Sequence, residues 1–123
     1  MARLNRMTWL QLDRIGIALS GLCMVHCVLT LVLIGALGFG SSFFFAHEIH
    51  EIGLLVAVIV AGVAIGMGAI KHRKAAPFVT AMTGLSFMGG ALATQHGAGE
   101  AILTVIGVTL VTIGHILNLH LSR

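Results

Sequence analysis

The sequence has very few charged residues. Asp, Glu, Lys and Arg together make up 9% of its 123 residues, whereas a soluble globular domain carries about a quarter. Apolar residues make up 58% of the chain, and the mean hydropathy is +1.05. This composition excludes an ordinary soluble domain and predicts an integral membrane protein with one domain, residues 1–123.

Cysteine and proline are also scarce, with two cysteines, Cys23 and Cys27, and one proline, Pro77. Two cysteines cannot build a disulfide framework. They lie four residues apart, which puts their β-carbons about 5 to 6 Å apart on a helix, and a disulfide needs about 3.5 to 4.5 Å. We therefore expect free thiols. Pro77 falls early in a predicted helix, where a proline in the first turn is tolerated.

Motifs of soluble enzymes are missing from the sequence. It contains no hydrolase, kinase or nucleotide-binding motif, and no extramembrane domain is visible in which an enzyme could be built. We therefore expect no enzyme and no permanently bound cofactor. The net charge of +3 does not indicate a nucleic-acid partner either, because the charges fall at the ends of apolar segments and form no basic face.

The sequence does contain four long apolar stretches. They predict an all-α membrane protein, a bundle of four transmembrane helices with spans at about 15–37, 52–70, 75–94 and 101–121. Lys and Arg flank these spans on one side and Glu48, Glu51 and Glu100 on the other, so the positive-inside rule predicts that both termini are cytoplasmic. The lipid bilayer is the expected partner, and a homodimer stays open because four short helices leave little lumen.

A stripe of metal-ligand residues lies in the first span. Cys23, His26 and Cys27 share one helix face, within a run from Ile15 to Phe45 that has no Asp, Glu, Lys or Arg. Thiolates with an imidazole suit soft ions such as Cu(I), Zn(II) and, by the same softness, Hg(II). Cysteine also packs as a small hydrophobe, but a histidine in mid-membrane is costly without a partner. We therefore favour a metal site.

The fourth span carries a second histidine, His115. Its predicted depth, about 12 Å from the cytoplasmic edge, is similar to that of Cys23, so we predict that it completes the metal site. Asn118 lies on the same helix face and is predicted to orient the imidazole. The alternative is that His115 only forms a hydrogen bond to another helix.

Polar residues cluster just before the second span. They are His47, Glu48, His50 and Glu51, and His47 has helix-face spacing to both His50 and Glu51. The cluster is a candidate periplasmic site of access for a cation. It is not the HExxH motif of metalloproteases, because only one residue separates Glu48 from His50. The alternative is a solvated helix start, where acidic residues suit the helix dipole.

Taken together, these features resemble the MerC family. The resemblance covers essentially the whole chain and rests on Asp13-x-x-Gly16, Ser20-x-x-Cys23-x-x-His26-Cys27, the outer His/Glu cluster and Gly114-His115-x-x-Asn118. It implies a four-span inner-membrane protein of bacterial mercury resistance that takes up Hg(II). In that role a periplasmic metal-binding protein would deliver the ion, and Cys23 and Cys27 would pass it towards a cytoplasmic mercuric reductase. The resemblance also adds Asp13 to the residues expected to orient the site.

The sequence departs from members encoded in mercury operons, which carry their first-span cysteines closer together. Two other functions therefore stay open. One is a membrane protein that binds or senses Zn(II) or Cu(I) without transporting it. The other is a structural subunit of a membrane complex that docks through Gly62 and Gly66.

Overall fold

The computed structural model describes residues 2–37, 47–95 and 98–123. Within these ranges the chain forms four α-helices and no β-strand: α1 (Ala2–Leu37), α2 (His47–His72), α3 (Ala76–Leu92) and α4 (Ala98–Ser122). Helices α1, α2 and α4 are long and apolar enough to cross a membrane, and α3 is a shorter apolar helix of 17 residues. The predicted all-α membrane fold of four helices is confirmed.

The outside of the bundle is apolar. Leu22, Val25 and Ile70 expose 71%, 65% and 75% of their surface. Soluble monomers rarely expose large contiguous apolar patches, whereas lipid is a favourable solvent for such a surface. The exposed side chains therefore agree with a membrane environment.

The interior is held together by small residues that let helices approach closely. A β-carbon on Gly84 in α3 would lie 2.6 Å from the backbone oxygen of Gly107 in α4, and a β-carbon on Gly107 would lie 2.6 Å from the backbone oxygen of Gly84. Around this crossing lies the apolar core, which comprises Ala61, Ile65, Ala81, Leu85, Met88, Val108 and Val111. Pro77 stands in the first turn of α3, as the sequence predicts.

The small residues of α2 lie on two different sides of the helix. Ala61, Ala64 and Gly68 are buried, whereas a β-carbon on Gly62 or Gly66 would meet no atom within 4 Å. Gly62 and Gly66 therefore make no close contact inside the bundle. Each residue advances a helix by about 100°, so Gly62 faces away from the core that Ala61 enters.

Helix α1 begins at Ala2, well before the predicted start of the first span at Ile15. No glycine or proline interrupts residues 2–15, so the segment before the predicted span continues the same helix. Asp13 therefore lies inside the helix, with its side chain buried.

The two chain termini meet at one end of the bundle. The Arg6 guanidinium donates a hydrogen bond to the backbone oxygen of Arg123 at 2.6 Å. We call this the basic end, because Lys71 lies in the last turn of α2 there and Arg73 and Lys74 follow that helix. The opposite end, where α2 and α4 begin, is the acidic end, since Glu48, Glu51 and Glu100 lie there.

Candidate metal centre

Three metal-ligand side chains converge towards the acidic end of the bundle. They are His26 and Cys27 of α1 and His50 of α2, and their ligand atoms all lie within 4.8 Å of one another. The Cys27 Sγ is 3.6 Å from the His50 Nε2. We call these three residues the outer cluster.

The spacing of the outer cluster suits a shared ion. A tetrahedral ion about 2.3 Å from a sulfur and about 2.0 to 2.1 Å from a nitrogen separates those two atoms by about 3.5 Å, close to the observed distance between Cys27 and His50. The rings of His26 and His50 are tilted by 41° with centroids 5.6 Å apart. One thiol and two imidazoles form a donor set suited to soft and borderline ions.

A buried carboxylate lies behind His50. The Glu100 Oε1 is 3.8 Å from the His50 Nδ1, while the other ring nitrogen faces Cys27. A histidine that binds a metal commonly has a carboxylate on its second nitrogen, which fixes the ring orientation and the tautomer. The distance is within the range of an ion pair but longer than a hydrogen bond, so Glu100 stands beside His50 and would orient its ring only after a small shift.

Glu100 was not predicted from the sequence to be a site residue. The available signal was a lone acidic residue at the start of an apolar segment, which usually means solvated surface that suits the helix dipole. Here Glu100 falls in the first turn of α4 and is only 7% exposed. Its burial depends on how α4 meets α2, which spacing along the chain does not reveal.

Both cysteines are free thiols, as their helical spacing predicts. Cys27 is 3% exposed and belongs to the outer cluster. Cys23, one turn nearer the basic end, is half-buried and lies outside that set of ligand atoms. It lines a cavity of about 170 Å³ between the helices, which is open to the outside on the side of Leu19 and Val56.

A buried polar network lies towards the basic end. The Asp13 Oδ1 is 2.8 Å from the His115 Nδ1, and the Asn118 Nδ2 donates to the Asp13 Oδ2 at 2.8 Å. Each of these three side chains is 1% exposed. The Asn118 Nδ2 also donates to the backbone oxygen of Ala64 at 3.1 Å, so the network ties α1, α2 and α4 together.

His72 extends this network towards the surface. The backbone N–H of Lys74 donates to the His72 Nδ1 at 3.1 Å, so in the uncharged ring Nε2 carries the hydrogen. That nitrogen donates to the Asn118 Oδ1 at 3.0 Å. His72 was not predicted to be a site residue, because a histidine among lysines and arginines is most simply interfacial.

Two glycines make room for this network. A β-carbon on Gly16 of α1 would overlap the His115 imidazole, and a β-carbon on Gly68 of α2 would overlap the Asn118 amide. The two side chains of α4 therefore lie directly on the backbones of α1 and α2. Glycine at both positions lets them reach Asp13 and Ala64.

The residues predicted to form one metal site are divided between two places. His26 and Cys27 belong to the outer cluster, whereas His115 lies against Gly16, seven residues from Cys23 along α1. Asp13 and Asn118 flank His115, and neither contacts the outer cluster through a described hydrogen bond. Cys23 stands between the two groups.

The predicted access cluster also separates. His50 turns inwards to Cys27, while Glu48 and Glu51 are exposed. His47 begins α2, and its side chain lies outside the described residues. Among Glu48, His50 and Glu51, whose side chains are described, His50 is the one that the structure brings to the metal-ligand set.

The fold and the outer cluster define a small helical membrane protein with a thiol–imidazole site suited to a soft metal ion. Comparison with protein families matches residues 13–120 to the MerC mercury resistance protein family. The chain belongs to this family, as its sequence motifs imply. Comparisons with curated proteins and with solved structures return no significant match.

Proposed function

We propose that the protein carries Hg(II) across the bacterial inner membrane by ligand exchange through Cys27 and Cys23. The observation that carries the proposal is the outer cluster, in which a thiol and two imidazoles lie within 4.8 Å of one another inside an apolar bundle. Membership of a mercury resistance family supports Hg(II) as the ion.

The proposed orientation of the protein in the membrane follows from its charged residues. The basic end carries both termini and the cluster at Lys71–Lys74, so the positive-inside rule supports a cytoplasmic position for it. The acidic end then faces the periplasm, where a metal-binding protein would deliver the ion. A mercuric reductase would receive it at the basic end.

Ligand exchange at the outer cluster keeps the charge in balance. An incoming Hg(II) held by two thiolates forms a bond to the Cys27 sulfur as one of its original bonds breaks. The Cys27 proton passes to the departing thiolate, and His50 is placed to relay it because its Nε2 is 3.6 Å from the thiol sulfur. A second exchange moves the ion to Cys23. No electron is transferred and the bonds that change are Hg–S and S–H bonds only, so the proposed protein is a carrier and not an enzyme.

Neutrality makes a thiolate site suitable for a membrane interior. Hg(II) with two thiolates has no net charge, and a buried net charge in an apolar medium costs several kcal/mol or more. Two thiol positions on one helix therefore let the ion stay neutral while it moves. This is the physical reason for placing the cysteines within the span.

A second candidate is a protein that binds Zn(II) or Cu(I) without moving it. The observation that favours it is the Glu100 carboxylate 3.8 Å from His50, since zinc-binding histidines commonly have such a partner. Transport and binding differ in whether metal crosses a sealed membrane.

The test combines binding and uptake. Purified wild-type protein, Cys27→Ser, Cys23→Ser/Cys27→Ser and the exposed control His120→Gln are loaded with Hg(II), Zn(II) or Cu(I) as thiol complexes and analysed for metal. The same proteins are placed in vesicles that contain trapped glutathione. We expect stoichiometric Hg(II) binding and uptake by wild type and His120→Gln, with both lost in the double variant. Binding without uptake would favour the second candidate, and equal binding by the double variant would contradict both.

A further inference from the structure

We infer a second metal-binding position at the Nε2 of His115, which receives the ion from Cys23 on its way to the basic end. The inference rests on the proposed function and adds a site that is separate from the outer cluster. The site would bind a soft divalent ion that also carries a thiolate ligand. Asp13 is the positioning residue, because it acts through His115.

The Asp13 carboxylate determines which ring nitrogen of His115 is available. A carboxylate only accepts hydrogen bonds, so the His115 Nδ1 that lies 2.8 Å from it carries the hydrogen. In the uncharged ring the lone pair is then on Nε2. The other carboxylate oxygen is held by Asn118, which is itself anchored on Ala64, so the ring orientation is fixed before any ion arrives.

The imidazole lies at the wall of the cavity that Cys23 lines. Its Nε2 edge is the part of the ring nearest to Gly16, and both residues line the cavity together with Cys23. All four helices contribute to the wall, and the polar side chains among its described residues are Ser20, Cys23 and His115. A metal ion that leaves Cys23 within this cavity therefore meets His115 as the next strong ligand.

The order of the ligands along α1 gives the direction in which the ion would move. Cys27, Cys23 and the position of Gly16 follow one another towards the basic end, with steps of about 6 Å and about 10 Å at 1.5 Å per residue. Soft ions favour thiolate over imidazole, so the ion is held more weakly at His115 than at the cysteines. A weaker site near the basic end suits release.

The transfer step balances with an external thiol. The Nε2 lone pair first binds as a third ligand to an ion held by the Cys23 sulfur and a second thiolate. A thiol from the solution at the basic end then forms a bond to the ion as the bond between the ion and the Cys23 sulfur breaks, and its proton passes to the Cys23 thiolate. The ion keeps two thiolates and stays neutral, and no oxidation or reduction occurs.

If His115 had only a structural role, its network would still contain the hydrogen bonds of Asp13 and Asn118, but the NMR signal of its Nε2 would not respond to metal. The direct test is nitrogen NMR of the histidine rings in wild-type protein, labelled with ¹⁵N and titrated with mercuric chloride. We expect the first equivalent to shift the ring nitrogens of His26 and His50 and further ion to shift the His115 Nε2. An unchanged His115 Nε2 at saturating Hg(II) would overturn the inference.

A matched pair of variants tests the same position in vesicles with trapped glutathione. His115→Cys restores a soft ligand without the Asp13 hydrogen bond, and His115→Ser has the same shape without that ligand. We expect uptake to fall at least tenfold in His115→Ser and to recover in His115→Cys, while binding at the outer cluster is kept in both.

The outcomes separate the inference from the proposed function. Uptake by His115→Ser at the wild-type rate, with uptake abolished in Cys27→Ser, would overturn the inference alone. Wild-type vesicles that take up no mercury would contradict the proposed transport, and the NMR titration would still decide whether His115 binds the ion. The exposed His120→Gln variant should match wild type in every assay.

Discussion

At the scale of single residues, the outer cluster shows how a side chain without a recognisable motif can shape a site. Glu100 is not part of the cysteine motif. Its Oε1 nevertheless lies 3.8 Å from the Nδ1 of His50, the histidine that faces Cys27. The carboxylate and the thiol thus lie on the two sides of one imidazole.

Replacing Glu100 by Gln should weaken metal binding without removing a ligand. Loss of the partner of a metal-binding histidine typically lowers affinity about 10- to 100-fold, and we expect a loss in that range for Glu100→Gln. Competition titration with a soluble chelator measures it. The exposed Glu48→Gln serves as the control and should bind like wild type. Equal affinity of the two variants would show that Glu100 does not orient His50.

The residue scale also marks the limit of sequence reasoning. The stripe of Cys23, His26 and Cys27 follows from helical spacing within one segment. The pairing of Cys27 with His50, and of Asp13 with His115, depends on the rotation and depth of two helices relative to each other. Depth estimates placed His115 level with Cys23, but the imidazole points back along α1 to Gly16.

At the scale of helices, hydropathy predicted four segments, and the structure confirms four helices within the described residues. The ends were less predictable, because an amphipathic segment continuous with a span has no break to mark the boundary. The small residues of α2 illustrate a second limit. The sequence shows where glycines fall on a helix, but not which side of that helix meets its neighbours.

The crossing of α3 and α4 yields a stability prediction. Gly84→Ala would place a β-carbon 2.6 Å from the Gly107 oxygen and 2.8 Å from the Val111 nitrogen, so the helices must separate. Overpacking of this kind costs about 1 to 3 kcal/mol. Thermal unfolding of the detergent-solubilised protein measures the change.

Gly90→Ala is the matched control on the same helix. No atom lies within 4 Å of its would-be β-carbon, and alanine is the better helix former. We expect unchanged or slightly raised stability. If Gly84→Ala is as stable as Gly90→Ala, the close crossing of α3 and α4 is wrong.

At the scale of the whole molecule, the bundle has two chemically different ends. The hydrogen bond between Arg6 and Arg123 brings the termini together, and the acidic residues begin α2 and α4 at the other end. Sequence alone predicted this division, because charge placement needs no knowledge of helix packing.

Reporter fusions test the proposed orientation in the cell. A fluorescent protein that folds only in the cytoplasm should be active when joined after Arg123. Alkaline phosphatase, which is active only in the periplasm, should be active when joined after Gln95, the last described residue between α3 and α4. The reciprocal fusions are the controls and should be inactive. The reverse pattern would place the outer cluster on the cytoplasmic side and reverse the proposed direction of transport.

The Asp13 network has a consequence for the order of synthesis. Asp13 is separated from His115 by 102 positions and from Asn118 by 105, so its carboxylate leaves the ribosome long before its partners. Until α4 is inserted, that carboxylate must stay hydrated near the membrane surface, since an unpaired charge in lipid is costly. Completion of the bundle is therefore a late event that waits for the last helix, and a nascent chain stopped before residue 115 lacks the means to bury Asp13.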